Sequence, residues 1–586
     1  MSRPERQRNV SRRLDRLSRW CVSTSILALI LVILVEGYQV LGTSWATRLA
    51  VVVWLLSVFL STIYQAIQVR QAVDRRECFR SYAIDTGLLF VILGLAMTGL
   101  WSALALVVFV RQTLLLARLY LSTPRGQAGL LALLAHPAKL LTVSFLVLIL
   151  LGTLFLTFPR ATDDGQGASL VDAAFTATSA ACVTGLAVLN TNSDGRADPG
   201  RQSFSSFGQL VILILIQVGG LGIMTLSAAV VLFLGRQLGM RSQAVLQSVM
   251  EETSRRDLER SIRFIVSMTF IVEAIGAFVL FLRFWPMLND AKQAATYAVF
   301  TSVSAYCNAG FSLWSDSLSL LRGDYVVMST VMLLITIGGL GFTVVAALVQ
   351  SENFRRAPAL TWRRFSVHVR IVLLMSLGLV VGGMVVFYFL EFHESLDGLS
   401  RSEKLIASLF QSVTARTAGF NTVDFSGLSR VGIVAMLLLM FVGGSPGSTA
   451  GGVKTTTVAV VFLGVRSMLM GREDVEVAGR SIPKNVVYKS ISILGIFVGM
   501  FVIGFVGLLL TEPGMPFEAL LFETMSALAT VGLSLGITPD LSVASKLLVT
   551  VLMIVGRVGP LTIAFAVGEA AKRVALQYPE GKIMVG

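Results

Sequence analysis

Four times along this chain, a short segment of small residues runs into a glycine that is followed by a larger apolar residue. The segments are Ser179-Ala180-Ala181-Cys182-Val183-Thr184-Gly185-Leu186, Ser304-Ala305-Tyr306-Cys307-Asn308-Ala309-Gly310-Phe311, Val413-Thr414-Ala415-Arg416-Thr417-Ala418-Gly419-Phe420 and Ser526-Ala527-Leu528-Ala529-Thr530-Val531-Gly532-Leu533. The glycine recurs about every 110–125 residues, far beyond the period of a solenoid. Each segment sits between two apolar spans, and the second span carries its own aligned glycines. These read Val218-Gly219-Gly220-Leu221-Gly222, Ile337-Gly338-Gly339-Leu340-Gly341, Val442-Gly443-Gly444-Ser445-Pro446-Gly447 and Val555-Gly556-Arg557-Val558-Gly559. Two independent patterns in one order point to internal repetition.

Of the 586 residues, 55% are hydrophobic and 14% charged, and the mean hydropathy is +0.77. That composition belongs to a polytopic all-α membrane protein. The net charge of +14 does not indicate nucleic-acid binding, because the basic residues sit in short loops and in an N-terminal arm, 1–20, with seven arginines. Such charges hold their side of the membrane in the cytoplasm. The arm, the arginine-rich loop 69–81, the linker arginines 236, 241, 255, 256, 355, 356, 363, 364, 466, 472 and 480 and the C-terminus are all predicted to be cytoplasmic. The arm is also suited to contact anionic lipids. Cys21, Cys78, Cys182 and Cys307, with His136, His368 and His393, lack metal-ligand or disulfide-framework spacing. An enzyme would need converging titratable groups, and the membrane portion offers few: Glu273, Glu391, Glu523 and Arg557.

The expected organisation is a basic arm (1–20), an extra four-helix transmembrane region (21–125), four span–loop–span repeats (139–240, 255–355, 365–470 and 485–570) and a tail (571–586). The extra region has apolar spans near 21–41, 47–67, 82–97 and 100–120. Asp85, Arg111 and Arg118 lie within it. Two arginines seven apart match a voltage sensor poorly, so a packing bundle is the expectation.

Within the repeats, the segments 175–181, 298–306, 406–415 and 522–529 are too short to cross a bilayer. They fit re-entrant helices, each aiming the negative end of its dipole at the membrane centre. The residues that follow are expected to run as extended backbone whose carbonyls replace a cation's hydration shell. On this reading the ion-binding backbone is Val183, Thr184 and Gly185; Asn308, Ala309 and Gly310; Thr417, Ala418 and Gly419; and Thr530, Val531 and Gly532. Tight turns capping buried helices are the alternative.

Two departures from symmetry stand out. The third repeat carries Gly443, Gly444, Ser445, Pro446, Gly447, Ser448, Thr449, Ala450, Gly451, Gly452, Val453 and Lys454 where the other second spans are expected to be helical. Non-helical backbone is tolerated at membrane depth only where protein or a watery cavity surrounds it. Loop 443–454 is therefore read as an intramembrane gate, with Lys454 near its inner end. Arg557 replaces the glycine of the other repeats and is expected to face the pore below the filter. Arg416 replaces Cys182, Cys307 and Ala529, and Glu523 is the expected partner for its charge.

These residues resemble the Trk/Ktr/HKT superfamily. The resemblance rests on Gln217-Val218-Gly219-Gly220-Leu221-Gly222, Arg416-Thr417-Ala418-Gly419-Phe420-Asn421-Thr422, the run 444–456 and Gly556-Arg557-Val558-Gly559-Pro560-Leu561-Thr562. It covers about 139 to the C-terminus and is nearest the bacterial Ktr-type potassium-uptake membrane subunit, the KtrB and NtpJ type. It implies four pseudo-fourfold repeats around one central pore, with K+ as the transported ion and Na+ as an activator or coupling ion. A homodimer, a cytosolic nucleotide-binding regulatory subunit of the RCK/KTN type and a joint gate of loop and arginine are implied too. Glycine at all four filters matches the potassium-selective members. A poorly selective or sodium-conducting monovalent cation channel is the alternative. The regulatory subunit is not expected within this chain, since no Gly-x-Gly-x-x-Gly follows a strand, and no organic cofactor is expected in it.

Overall fold

The computed structural model describes residues 20–31, 52–63, 137–192, 201–222, 255–350, 362, 365–472, 474–477 and 479–559, with scattered positions between 87 and 129. The helices are α1 (Trp20–Leu31), α2 (Val52–Ile63), α3 (Pro137–Leu156), α4 (Leu170–Ala181), α5 (Ser206–Gly220), α6 (Arg255–Leu288), α7 (Ala291–Cys307) and α8 (Tyr325–Leu340). There follow α9 (Phe342–Gln350), α10 (Val367–Leu390), α11 (Arg401–Thr414), α12 (Arg430–Phe441), α13 (Thr455–Leu469), α14 (Lys484–Thr511), α15 (Phe517–Ala529) and α16 (Val543–Val558). The sheet among the described residues is one antiparallel hairpin, Val475–Val477 with Arg480–Ile482.

The core is largely apolar, but the outer face is unlike that of a protein dissolved in water. The long helices α6, α10 and α14 are apolar enough to cross a membrane and expose Phe270, Ile271, Phe278, Leu374, Leu377, Ile503 and Leu510. The short helices α4, α7, α11 and α15 are buried among them and carry polar side chains inward: Thr178, Ser179, Thr301, Ser304, Gln411, Ser412, Glu523 and Ser526. Lipid is the solvent in which this arrangement costs least, because an exposed Phe or Leu meets hydrocarbon there.

Local chemistry sets the helix starts. Ser169, Asp290 and Ser400 cap α4, α7 and α11, the last through a capping box with Glu403. Those caps start the short helices several residues earlier than their small-residue cores suggest. Ser205, Asp324, Ser429 and Ser542 cap α5, α8, α12 and α16 in the same way. The second helix of each unit packs on the short helix of the next: α5 on α7, α8 on α11, α12 on α15 and α16 on α4. The last contact returns to the first unit, so the order is cyclic.

The expectation that only the third repeat interrupts its second span needs correction. α8 and α9 meet at a 104° bend with Gly341 between them at φ +84. Gly222 (φ +80) and Gly559 (φ +90) likewise take the left-handed region after α5 and α16. A positive-φ glycine therefore follows the second helix in the first, second and fourth units, because only glycine takes that conformation without a Cβ penalty, whereas α12 of the third unit ends on Val442 in extended backbone.

In the N-terminal region, Arg111 donates to Ser61 Oγ (2.7 Å) and Thr62 Oγ1 (3.3 Å). Gln112 donates to Ser57 Oγ and accepts from Ser25 Oγ, both at 2.8 Å. Intramembrane charge is costly unless partnered, and this buried network holds α1 and α2 together with the 111–112 segment. Most of the expected third and fourth spans, with Cys78, Asp85, Arg118 and His136, lie outside the described residues. So do the arm 1–19, linker arginines 236, 241, 355, 356, 363 and 364, and the tail 571–586.

Candidate functional site

At the end of each short helix the backbone takes the left-handed region twice, two residues apart. The pairs are Val183 (φ 56) and Gly185 (φ 96), Asn308 (φ 60) and Gly310 (φ 72), Thr417 (φ 70) and Gly419 (φ 80), and Thr530 (φ 50) and Gly532 (φ 92). Glycine is at ease there, but Val183, Thr417 and Thr530 are β-branched and such positions cost about 1–3 kcal/mol each. Hydrogen bonds hold them. Thr184 N donates to Ser179 O (2.7 Å), Ala309 N to Ser304 O (2.7 Å) and Val531 N to Ser526 O (2.8 Å). Ser179 and Ser526 hydroxyls accept from Gly185 N and Gly532 N, each at 3.1 Å. Ser304 and Thr414 hydroxyls donate instead to Phe311 O (2.7 Å) and Phe420 O (2.6 Å).

The four glycines meet in cyclic order. A Cβ on Gly185 would strike Ala309 O, and one on Gly310 would lie 2.9 Å from Ala418 O. On Gly419 it would lie 2.6 Å from Val531 O, and on Gly532 it would strike Thr184 O. Each glycine thus leans on the backbone of the next unit, and the fourth leans on the first. The ring closes without any side chain in it.

Beneath this ring lies the stretch 442–454. Its ends are tied by Gly443 N to Val453 O (3.0 Å) and Val453 N to Phe441 O (3.2 Å). Ser445 N and Thr449 N donate to Gly339 O and Gly338 O of α8, and Phe342 N donates to Gly447 O. Thr449 Oγ1 reaches Tyr306 O (3.2 Å), Gly451 N reaches Thr417 Oγ1 (3.2 Å), and Gly451 packs against Ala529 O and Thr530. Lys454 Nζ turns back onto Ala450 O at 2.7 Å. Arg557 donates through one guanidinium nitrogen to Thr449 O and through the other to Gly219 O (2.8 Å). The loop therefore touches the second, third and fourth units just below the ring, and Arg557 links it to Gly219 of the first.

The expected Arg416–Glu523 pair does not form. Glu523 accepts from Ser534 Oγ (2.7 Å) and Thr538 Oγ1 (2.6 Å), in the chain that leaves the fourth glycine. Arg416 donates to Gly443 O (3.3 Å) and Ser376 Oγ (3.4 Å). The two residues belong to neighbouring units, but hydroxyls nearby in sequence satisfy Glu523 first. Sequence reading missed Ser376, Ser534 and Thr538. Lone hydroxyls in apolar stretches were the signal available. It also gave no role to Glu391, whose buried carboxylate accepts from Ser429 Oγ (2.6 Å) and Ser429 N at the start of α12.

Residues 127–572 match the sequence profile of TrkH, described as a cation transport protein. The chain belongs to the TrkH family. It is therefore a membrane transport protein and not an enzyme. It is 34% identical over 452 residues to the Ktr system potassium uptake protein B of Bacillus subtilis (strain 168), covering 77% of this chain and 97% of the relative. It is 35% identical over 454 residues to the Ktr system potassium uptake protein B of Vibrio alginolyticus, covering 76% and 94%. Against the potassium/sodium uptake protein NtpJ of Enterococcus hirae the identity is 33% over 461 residues, covering 77% and 97%. The solved structure of the potassium transporter TrkH from Vibrio parahaemolyticus shares the fold, with a TM-score of 0.56 at 19% identity over 89% of this chain and 98% of that one.

Proposed function

We propose that this family member carries potassium into the cell across the plasma membrane as the translocating subunit of a Trk/Ktr-type system. The observation that supports it most is the closed ring of four left-handed glycines at the buried ends of four short helices. Alternate left-handed residues let successive carbonyls face one way, so the segments 183–185, 308–310, 417–419 and 530–532 serve as stacked oxygen rings. Carbonyl oxygens there replace the water an ion sheds on entry. The helix ends behind them add negative potential without a carboxylate that would hold the ion too tightly.

The loop 443–454 is the gate in this reading, and Arg557 is its clasp. Loop backbone under the ring blocks exit toward the cytoplasm, and α13 begins directly at its end. Movement of α13 imposed from the cytosolic face would draw the loop aside. A homodimer with both termini cytoplasmic, docked on a nucleotide-binding RCK/KTN-type subunit, completes the proposal. Na+ enters as an activator or coupling ion.

Rubidium uptake into vesicles containing the purified protein tests this. Uptake should be suppressed by excess unlabelled potassium and left nearly intact by equal sodium. Equal suppression by both ions would identify a poorly selective cation channel, and no uptake above protein-free vesicles would remove the transport reading altogether.

A further inference from the structure

Arg416 is nine-tenths buried and carries the charge that none of the other three units has at this place. Its covalent neighbour Thr417 opens the third segment of the ring, and its guanidinium donates to Gly443 O, the first carbonyl of the loop. The same guanidinium nitrogen reaches Ser376 Oγ on α10. Arg416 also lines a small cavity with Asn308, Thr336, Ser376, Val380 and Gly444, and its Nε has no hydrogen-bond partner.

From this geometry we infer that Arg416 is a positioning residue, a latch that ties the starting hinge of the loop to the third ring segment. The inference rests on the gate reading above. In the other units, the first glycine of the second span packs directly on the short helix: Gly219 on Ala181 O, Gly338 on Tyr306 O and Gly556 on Leu528 O. In the third unit Gly443 packs on Gly451 instead, so the direct contact is missing and the guanidinium bridges the gap. Loop departure removes Gly443 O as acceptor. The buried charge is then short of partners and draws the loop back, since a buried cation without acceptors is costly. Arg416 holds the near end of the loop and Arg557 its far part, each through a loop carbonyl.

The test compares rubidium uptake by the parent, R416Q, R416K and S376A in vesicles at varied rubidium concentration, with melting of each purified protein in detergent. R416Q is expected to raise the maximal rate about tenfold and leave the half-saturating concentration within a factor of two. R416K should fall between R416Q and the parent, and S376A should rise two- to threefold. A merely structural arginine would lower melting without raising the rate. A folded R416Q with the parent rate, or a half-saturating concentration rising in step with the rate, overturns the latch. If R416Q does not purify in folded form, S376A decides, and a parent-like rate for it overturns the latch as well. Absence of uptake by the parent would instead sink the transport reading.

Discussion

Lys546 Nζ lies 2.8 Å from Asp172 Oδ1 and joins positions 374 residues apart. Asp172 stands in the first turn of α4, where a carboxylate suits the helix dipole, and it also accepts from the Ser169 hydroxyl. Lys546 stands near the start of α16. The pair therefore fastens the last unit to the first, at the one seam where no covalent linker runs. Both side chains are mostly buried, at 13% and 20% exposed, so the bond is screened less than a surface pair. D172N or K546M should each cost about 1–3 kcal/mol, and the double variant should lose less than the sum. Melting in detergent measures this. Removing Arg430, 90% exposed opposite Glu518, should change stability by under about 1 kcal/mol.

Gly185→Ser places a Cβ against Ala309 O at a left-handed position. The first segment must shift, and the ring with it. Discrimination of potassium over sodium should fall about tenfold or more while the protein still folds, read by ion competition against rubidium uptake. Unchanged discrimination would show that this glycine does not set selectivity.

Arg557→Gln removes the two-pronged bridge between Thr449 O and Gly219 O. Uptake without any cytosolic partner should rise several-fold, because charge-assisted hydrogen bonds of this kind hold about 1.5–3 kcal/mol. A parent-like rate in the folded variant would remove Arg557 from the gate.

Glu523→Ala leaves the Ser534 and Thr538 hydroxyls without their carboxylate, at a cost of about 1–3 kcal/mol for each group left unsatisfied. Melting should fall and uptake should drop with it, since Ser534 lies two residues beyond Gly532. Glu523→Gln keeps one acceptor oxygen and should fall between alanine and the parent.

Outside the membrane-crossing segments, the Thr162 hydroxyl bonded to Asp164 (2.6 Å) holds that carboxyl below its usual range, helped by Gln166 N and Gln202 and opposed by burial. A folded pKa below the unfolded one means stability that is fully present above about pH 4 and is lost as pH falls through the folded value. Between about pH 4 and pH 2 the parent's melting midpoint should therefore decline more steeply than that of D164N. Parallel slopes would rule out this linkage.

Much of the site was legible because it is written in residue types that backbone geometry demands. Four glycines after four small-residue segments mark left-handed positions, and Gly443 through Lys454 cannot form a helix. Helix starts were less legible, since Ser169, Asp290 and Ser400 look like ordinary loop residues until a first-turn N–H is found donating to each. The bend at Gly341 was missed because Leu340-Gly341-Phe342 reads as one apolar run, and it is loop carbonyl Gly447 O that receives Phe342 N. Arg416 and Glu523 were paired by charge, whereas the fold places hydroxyls and a carbonyl closer.

By itself the sequence determined the membrane character, the fourfold repetition and the positions where only glycine is strain-free, because these follow from composition and from dihedral limits local to each residue. The tertiary structure decided which unit leans on which, that Lys546 returns to Asp172, and that Arg416 and Arg557 grip loop carbonyls rather than acids. Those choices depend on distances between residues up to 374 positions apart, and such distances exist only once the helices have packed.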